Sequence, residues 1–215
     1  MKHHDTPDEI RRRLLRTIAA VPVVVAVPRL LGLVGCDATG ATGTAGGTTL
    51  DPTLACADDD VDPTPAETEG PYFTPNSPER ASLLESGIGG TVLVVSGLVL
   101  TRSCQPVAGA LLDFWQADDA GQYDNAGYRL RGHQFTDARG AYRLETVVPG
   151  LYPGRTRHIH VKVQAPSQSI LTTQLYFPGE SRNASDGIFD ASLLMQIADA
   201  ATGKAGQFNF VLDMA

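Results

Sequence analysis

The chain is poor in basic residues. Lys and Arg number 17 against 24 Asp and Glu in 215 residues, a formal charge of −7 at pH 7. No basic patch with interleaved aromatics stands out, so a nucleic-acid-binding surface is not expected. Cysteine is also scarce, with three residues, Cys36, Cys56 and Cys104. No internal repeat of useful length is visible, which excludes a solenoid or propeller. The one long apolar run, residues 17–34, is interrupted by Pro22, Pro28 and Arg29 and makes a poor permanent membrane span. With 42% hydrophobic and 19% charged residues, the chain can bury one full core but hardly two.

What is present begins with a leader. Arg11-Arg12-Arg13-Leu14-Leu15-Arg16 ahead of the apolar run has the form of a twin-arginine export signal. The run ends at Leu33-Val34-Gly35-Cys36, which resembles a bacterial lipoprotein box in which Cys36 is lipidated and becomes the first mature residue. An ordinary amphipathic N-terminal helix is the alternative. Residues 37–49 form a Gly/Thr/Ala tract without apolar period, the composition of a flexible spacer. The expected organisation is a cleaved signal over 1–35, a linker and lead-in over 36–66, and one domain over 67–215. Removing residues 1–35 takes away six basic and three acidic residues and leaves 11 against 21, a formal charge of −10. The protein is thus expected to be exported, periplasmic or at the cell surface, and to meet a membrane only through its lipid. If Cys36 is lipidated in an oxidising compartment, Cys56 and Cys104 remain as an even pair, and a disulfide between them is the economical reading. Two unpaired buried thiols are the alternative.

Gly and Pro together supply 36 residues, many clustered between short apolar runs, and this pattern predicts many turns and short strands. The expected fold class is all-β, an antiparallel sandwich. Strands are predicted at 91–100, 110–116, 141–147, 158–163 and 171–177, with turns at 102–107, 137–140 and 149–154. Residues 193–197, whose pattern fits helix or strand, are read as strand, and Thr202-Gly203-Lys204-Ala205-Gly206 followed by 208–212 suggests a closing hairpin.

The segment Tyr152-Pro-Gly-Arg-Thr-Arg-His158-Ile-His160 carries the most chemistry. On a strand, side chains alternate faces, so His158 and His160 point one way while Ile159, Val161 and Val163 point into the opposite layer. Two imidazoles on one face can grip one metal ion. Phenolates, as hard anionic ligands, favour a hard trivalent ion, so Tyr123 and Tyr152 added to the His pair suggest non-haem Fe(III). A zinc site on the same histidines is the alternative.

The ordered motifs Glu69-Gly-Pro-Tyr-Phe73, Trp115-Gln-Ala-Asp118, Gly121-Gln-Tyr123, Thr136-Asp-Ala-Arg-Gly140, Pro149-Gly-Leu-Tyr152, His158-Ile-His160 and Thr172-Thr-Gln-Leu-Tyr-Phe177 resemble the intradiol ring-cleavage dioxygenases. This resemblance implies Tyr123, Tyr152, His158 and His160 as ligands of Fe(III), with Tyr152 the ligand displaced by substrate. It implies Arg155 and Gln174 beside the reacting ring, with Arg157 as the alternative guanidinium. Tyr72 and Tyr176 are expected to line the pocket, Tyr72 having lead-in packing as its other reading. The implied partners are a small aromatic diol and O2, and the implied product a muconate-type dicarboxylic acid. Oligomeric state is left open. Several of the same motifs also resemble transthyretin-like and carboxypeptidase-regulatory-like sandwich modules, in which the tyrosine of Pro-Gly-x-Tyr is a core residue. His133 is read as a rim residue, Trp115 as core packing, and Tyr128 and Tyr142 as structural.

Overall fold

The computed structural model describes residues 61–215. Nine strands and two short 3-10 helices occur among them. They are β1 (Val92–Thr101), β2 (Leu111–Trp115), β3 (Arg131–Phe135), β4 (Ala141–Val147), β5 (His158–Gln164), β6 (Leu171–Tyr176), β7 (Gln196–Ala200), β8 (Gly203–Gln207) and β9 (Phe210–Leu212). One sheet has the order β4-β1-β8-β7, with β9 also pairing β1; the other has the order β3-β2-β5-β6. The fold is the expected all-β sandwich.

Alternation builds the core. Leu93, Val95 and Val99 of β1 with Tyr142 and Leu144 of β4 face Leu112 and Phe114 of β2, Ile159, Val161 and Val163 of β5, and Leu175 of β6. Most of these side chains are fully excluded from solvent. Each such aliphatic side chain contributes roughly 1.5–3 kcal/mol relative to exposure. Strand β5 is buried on both faces, and His158 and His160 occupy the face away from this core.

The lead-in segment is bonded to the sandwich, and at Gly70, where an added Cβ would be 3.4 Å from His160 Cε1, it lies against the histidine face. Thr64 N–H donates to Val211 O, Glu67 N–H to Thr172 O, and Thr173 Oγ1–H to Pro65 O. Residues 61–66, the last part of the expected lead-in, are fastened to the sandwich.

Two strand assignments need correction. Strand β3 was not anticipated, because Arg131-Gly-His-Gln-Phe135 has no apolar alternation; pairing with β2, from Leu111 opposite Phe135 to Trp115 opposite Arg131, makes it a strand. The closing hairpin is β7–β8, and it turns at Ala201-Thr202. Gly203–Gln207, expected as the turn, is itself a strand, pairing in parallel with Leu93–Ser96. Residues 191–193 are a 3-10 turn.

Cys104 is disulfide-bonded. Its expected partner Cys56, the lipidation candidate Cys36, and the signal and spacer segments lie outside the described residues.

Candidate active site

Two loops and one strand assemble the site. The first loop leaves β2 at Trp115 and is shaped by two aspartates. Asp118 Oδ1 accepts from the N–H groups of Ala120 and Gln122, while Asp124 accepts from those of Ala126, Gly127 and Arg129. Tyr123 sits between these two side-chain-capped turns. The second loop, residues 149–157, carries Tyr152. The loops touch backbone to backbone: Gly150 N–H donates to Asp118 O at 2.6 Å, and a Cβ on Gly121, whose φ is +80°, would lie 2.4 Å from Leu151 O. A glycine is needed there both for the left-handed backbone and for the close approach.

Strand β5 then presents the imidazoles. Tyr123 Oη lies 3.3 Å from His158 Nε2, and the rings of His158 and His160 are 4.8 Å apart, nearly perpendicular. Tyr152 Oη is 2.7 Å from Tyr72 Oη, and Tyr72 stacks on Tyr123 with ring centroids 4.5 Å apart. The four expected ligands and Tyr72 thus form one cluster. Tyr152 is not the core tyrosine of a sandwich module, since its hydroxyl meets another phenol and its ring is half-buried. Tyr142 does occupy the core, donating to Phe208 O, and Tyr128 Oη reaches Pro75 O at the exposed surface. His133 Nδ1 engages Ser77 O at 2.7 Å.

The donor set suits a hard trivalent cation. Burial pulls His158 down to about 4 and His160 well below the ordinary imidazole value, so both are neutral lone-pair donors at neutral pH. His158 Nδ1 lies 2.7 Å from Thr156 O, which makes Nδ1 the donor and leaves the Nε2 lone pair turned toward Tyr123. Burial pushes the Tyr123 phenol up, with Arg155 and Arg131 opposing, so its ionisation calls for a strong positive charge nearby. Among the described residues no group of three His, Cys, Asp or Glu could hold a metal ion. The arrangement is therefore of phenols and imidazoles rather than two histidines and a carboxylate, and the residues present fit ferric iron.

Arg155, Gln174 and Tyr176 meet in a second cluster. Arg155 Nη2 donates to Gln174 Oε1 at 2.7 Å and approaches Tyr176 Oη at 3.4 Å. Gln174 Nε2 donates to Thr68 O, so both ends of its amide are engaged, and it ties Arg155 to the lead-in segment rather than presenting a free amide to substrate. Tyr176 is fully buried and donates to Ile188 O; it backs the site instead of lining it. Arg157 turns away, donating through Nε to Glu180 and through Nη1 to Pro149 O.

Sequence reasoning missed several contributors. Trp115 stacks on His160 at 4.8 Å with planes 5° apart, and Phe73 packs edge-on against Trp115. The pairing of β2 with β5 places Trp115 opposite His160, a register that no local pattern reveals. His160 Nδ1 is buried without a hydrogen-bond partner among the described residues, so stacking rather than a hydrogen bond orients this ring. Arg131, 1% exposed, donates through Nε and Nη2 to Asp124 O and holds the residue after Tyr123.

Comparison with known proteins places the chain in a family. The dioxygenase family profile matches residues 68–214, and the chain belongs to that family, whose other members here are intradiol ring-cleaving enzymes. It is 36% identical over 121 residues to the protocatechuate 3,4-dioxygenase beta chain of Burkholderia cepacia, covering 48% of this chain and 52% of that one. Among solved structures it is similar to the dioxygenase domain of a dioxygenase–carbohydrate-binding protein fusion from the cellulolytic bacterium Streptomyces sp. SirexAA-E. That domain is 60% identical with a TM-score of 0.70, over 72% of this chain and all of the other. The 3-chlorocatechol 1,2-dioxygenase of Rhodococcus opacus 1CP is 28% identical with a TM-score of 0.65, over 71% of this chain and 73% of that one. The chain spans about half the length of the curated relatives it matches.

Proposed function

We propose that the protein is a non-haem ferric dioxygenase that opens a catechol-type ring between its two hydroxylated carbons with O2, giving a muconate-type diacid. The observation that carries this reading is the convergence of Tyr123, Tyr152, His158 and His160, with Tyr123 Oη 3.3 Å from His158 Nε2 and no carboxylate in the donor set. Bound by these four, ferric iron supplies a Lewis acid that favours phenolate and catecholate over their protonated forms and withdraws electron density from a chelating diol.

The remaining chemistry belongs to the chain. Tyr152 Oη, 2.7 Å from Tyr72 Oη, is placed to accept a proton from an incoming diol hydroxyl and to share it with Tyr72. Arg155 keeps Nη1 without a protein partner among the described residues and outside the buried set, so this nitrogen meets negative charge that develops on the ring. Tyr72 stacks on Tyr123 and Trp115 on His160, so each of these two ligand candidates has an aromatic ring against it.

The test is direct. The purified protein should hold about one iron per chain and show a visible phenolate-to-iron band, and with labelled O2 it should place both oxygen atoms in the diacid formed from catechol, protocatechuate or hydroxyquinol. Tyr123→Phe should lose the iron or keep it with a weakened band, and Tyr128→Phe should leave both unchanged. A yellow semialdehyde product, or no oxygen incorporation from any diol, would overturn the assignment.

A further inference from the structure

The segment between β6 and β7, residues 180–190, follows the last recognisable motif and grips the Tyr152 loop at several points. Arg182 Nη1 donates to Tyr152 O and Arg155 O, and Thr156 Oγ1 donates to Asn183 Oδ1 at 2.6 Å. The contact that reaches the Arg155 guanidinium is made by Asp186. Its Oδ2 accepts from Arg155 Nε at 2.8 Å and from Thr156 N–H at 2.8 Å, and its Oδ1 accepts from Ile188 N–H at 3.2 Å. The carboxylate is 2% exposed and the Arg155 side chain 19%. Burial works against the charged form of Asp186, and the bonds from Thr156 and Arg155 more than offset it, so the carboxylate stays ionised at neutral pH.

We propose that Asp186 is the positioning residue for Arg155, aiming its remaining guanidinium nitrogen at the bound diol. The proposal rests on the ring-cleavage reading of the site. A guanidinium is planar and rigid, so fixing two of its nitrogens fixes the third. Asp186 holds Nε and Gln174 holds Nη2, which leaves Nη1 in one direction. Gln174 is anchored by Thr68 O, and Asp186 by the backbone of Thr156 and Ile188. Without Asp186, Arg155 keeps one anchor and can rotate about it.

The test uses the iron-loaded full chain and Asp186→Ala, which removes the acceptor of Arg155 Nε–H and Thr156 N–H altogether. Iron content and the phenolate-to-iron band should be unchanged, because Asp186 touches none of the four ligands. On catechol, kcat should fall about a hundredfold, the scale set by misplacing a catalytic group by about 1 Å, with KM changed only a few-fold. In an Arg155→Met background the same change should cost less than about twofold, because a residue acting through Arg155 has nothing left to position. Losses that multiply in the double variant would show an independent structural role and overturn the proposal. A crystal structure of Asp186→Ala adds a readout that needs no turnover: an unmoved Arg155 guanidinium would also overturn it. Absence of ring cleavage in the wild type with a displaced Arg155 in the variant would instead count against the reaction and leave the positioning intact.

Discussion

At the scale of single residues, the site depends on imidazoles kept neutral by burial. His158 has an ordinary value of 6.5 and is drawn to about 4 in the fold, so the unfolded chain binds a proton over a pH range where the native one does not. Stability from this residue is therefore complete above about pH 6.5 and falls as pH drops toward 4. For the iron-free protein, His158 alone should cost about 2 kcal/mol between pH 7.5 and pH 5. His160 acts in the same direction, while Glu67 and Asp113, raised by burial, act in the opposite one. Denaturant midpoints of wild type and His158→Gln at the two pH values isolate the contribution of His158. Identical pH slopes for the two proteins would contradict it.

At the scale of elements, the site exists because two loops abut. The Tyr123 loop and the Tyr152 loop contact through Gly121 and Gly150, where a Cβ would come within 2.4 Å of Leu151 O or 2.3 Å of Gly121 N. Gly121→Ala should destabilise the protein by about 1–3 kcal/mol, through the left-handed backbone and the clash together, and should weaken iron retention as the loops separate. Gly109→Ala is the control, because its φ is +67° but nothing lies within 4 Å of an added Cβ. Equal losses of melting temperature and of iron at the two positions would mean that the loop contact is unimportant.

For the whole molecule, we propose export and attachment to a membrane through lipidated Cys36, supported by the arginine run, the apolar stretch and the Leu-Val-Gly-Cys box. A single acyl chain binds membranes only weakly, so stable attachment requires the several chains of a mature lipoprotein. The full-length protein should sediment with membranes, and Cys36→Ala should appear in the soluble fraction or as unprocessed precursor. Wild type recovered in the soluble fraction, unaltered by the substitution, would exclude the anchor.

Much of the domain is legible in the sequence because short-range geometry decides it. Period-two alternation on a strand places His158 and His160 on one face and Ile159, Val161 and Val163 on the other, and both layers are where that rule puts them. Glycine and proline clusters mark the turns, and the resemblance carried by the ordered motifs singles out Tyr72, Tyr123, Tyr152, Arg155 and Gln174 as candidates. Long-range pairing decides the rest. Strand β3 has no apolar period and exists through its register with β2, and Trp115 reaches His160 because β2 lies beside β5. Gln174 looks free in sequence and is committed at both ends once the lead-in segment crosses the sheet. Asp186 lies 31 residues from Arg155 in a polar stretch without period, so nothing local distinguishes it from a solvated surface carboxylate. The chain by itself determined which phenols and imidazoles are candidates for one site and which strand face the two histidines share; only the tertiary structure decided what orients them, because a hydrogen bond or ring stack between distant segments leaves no periodic trace in either one.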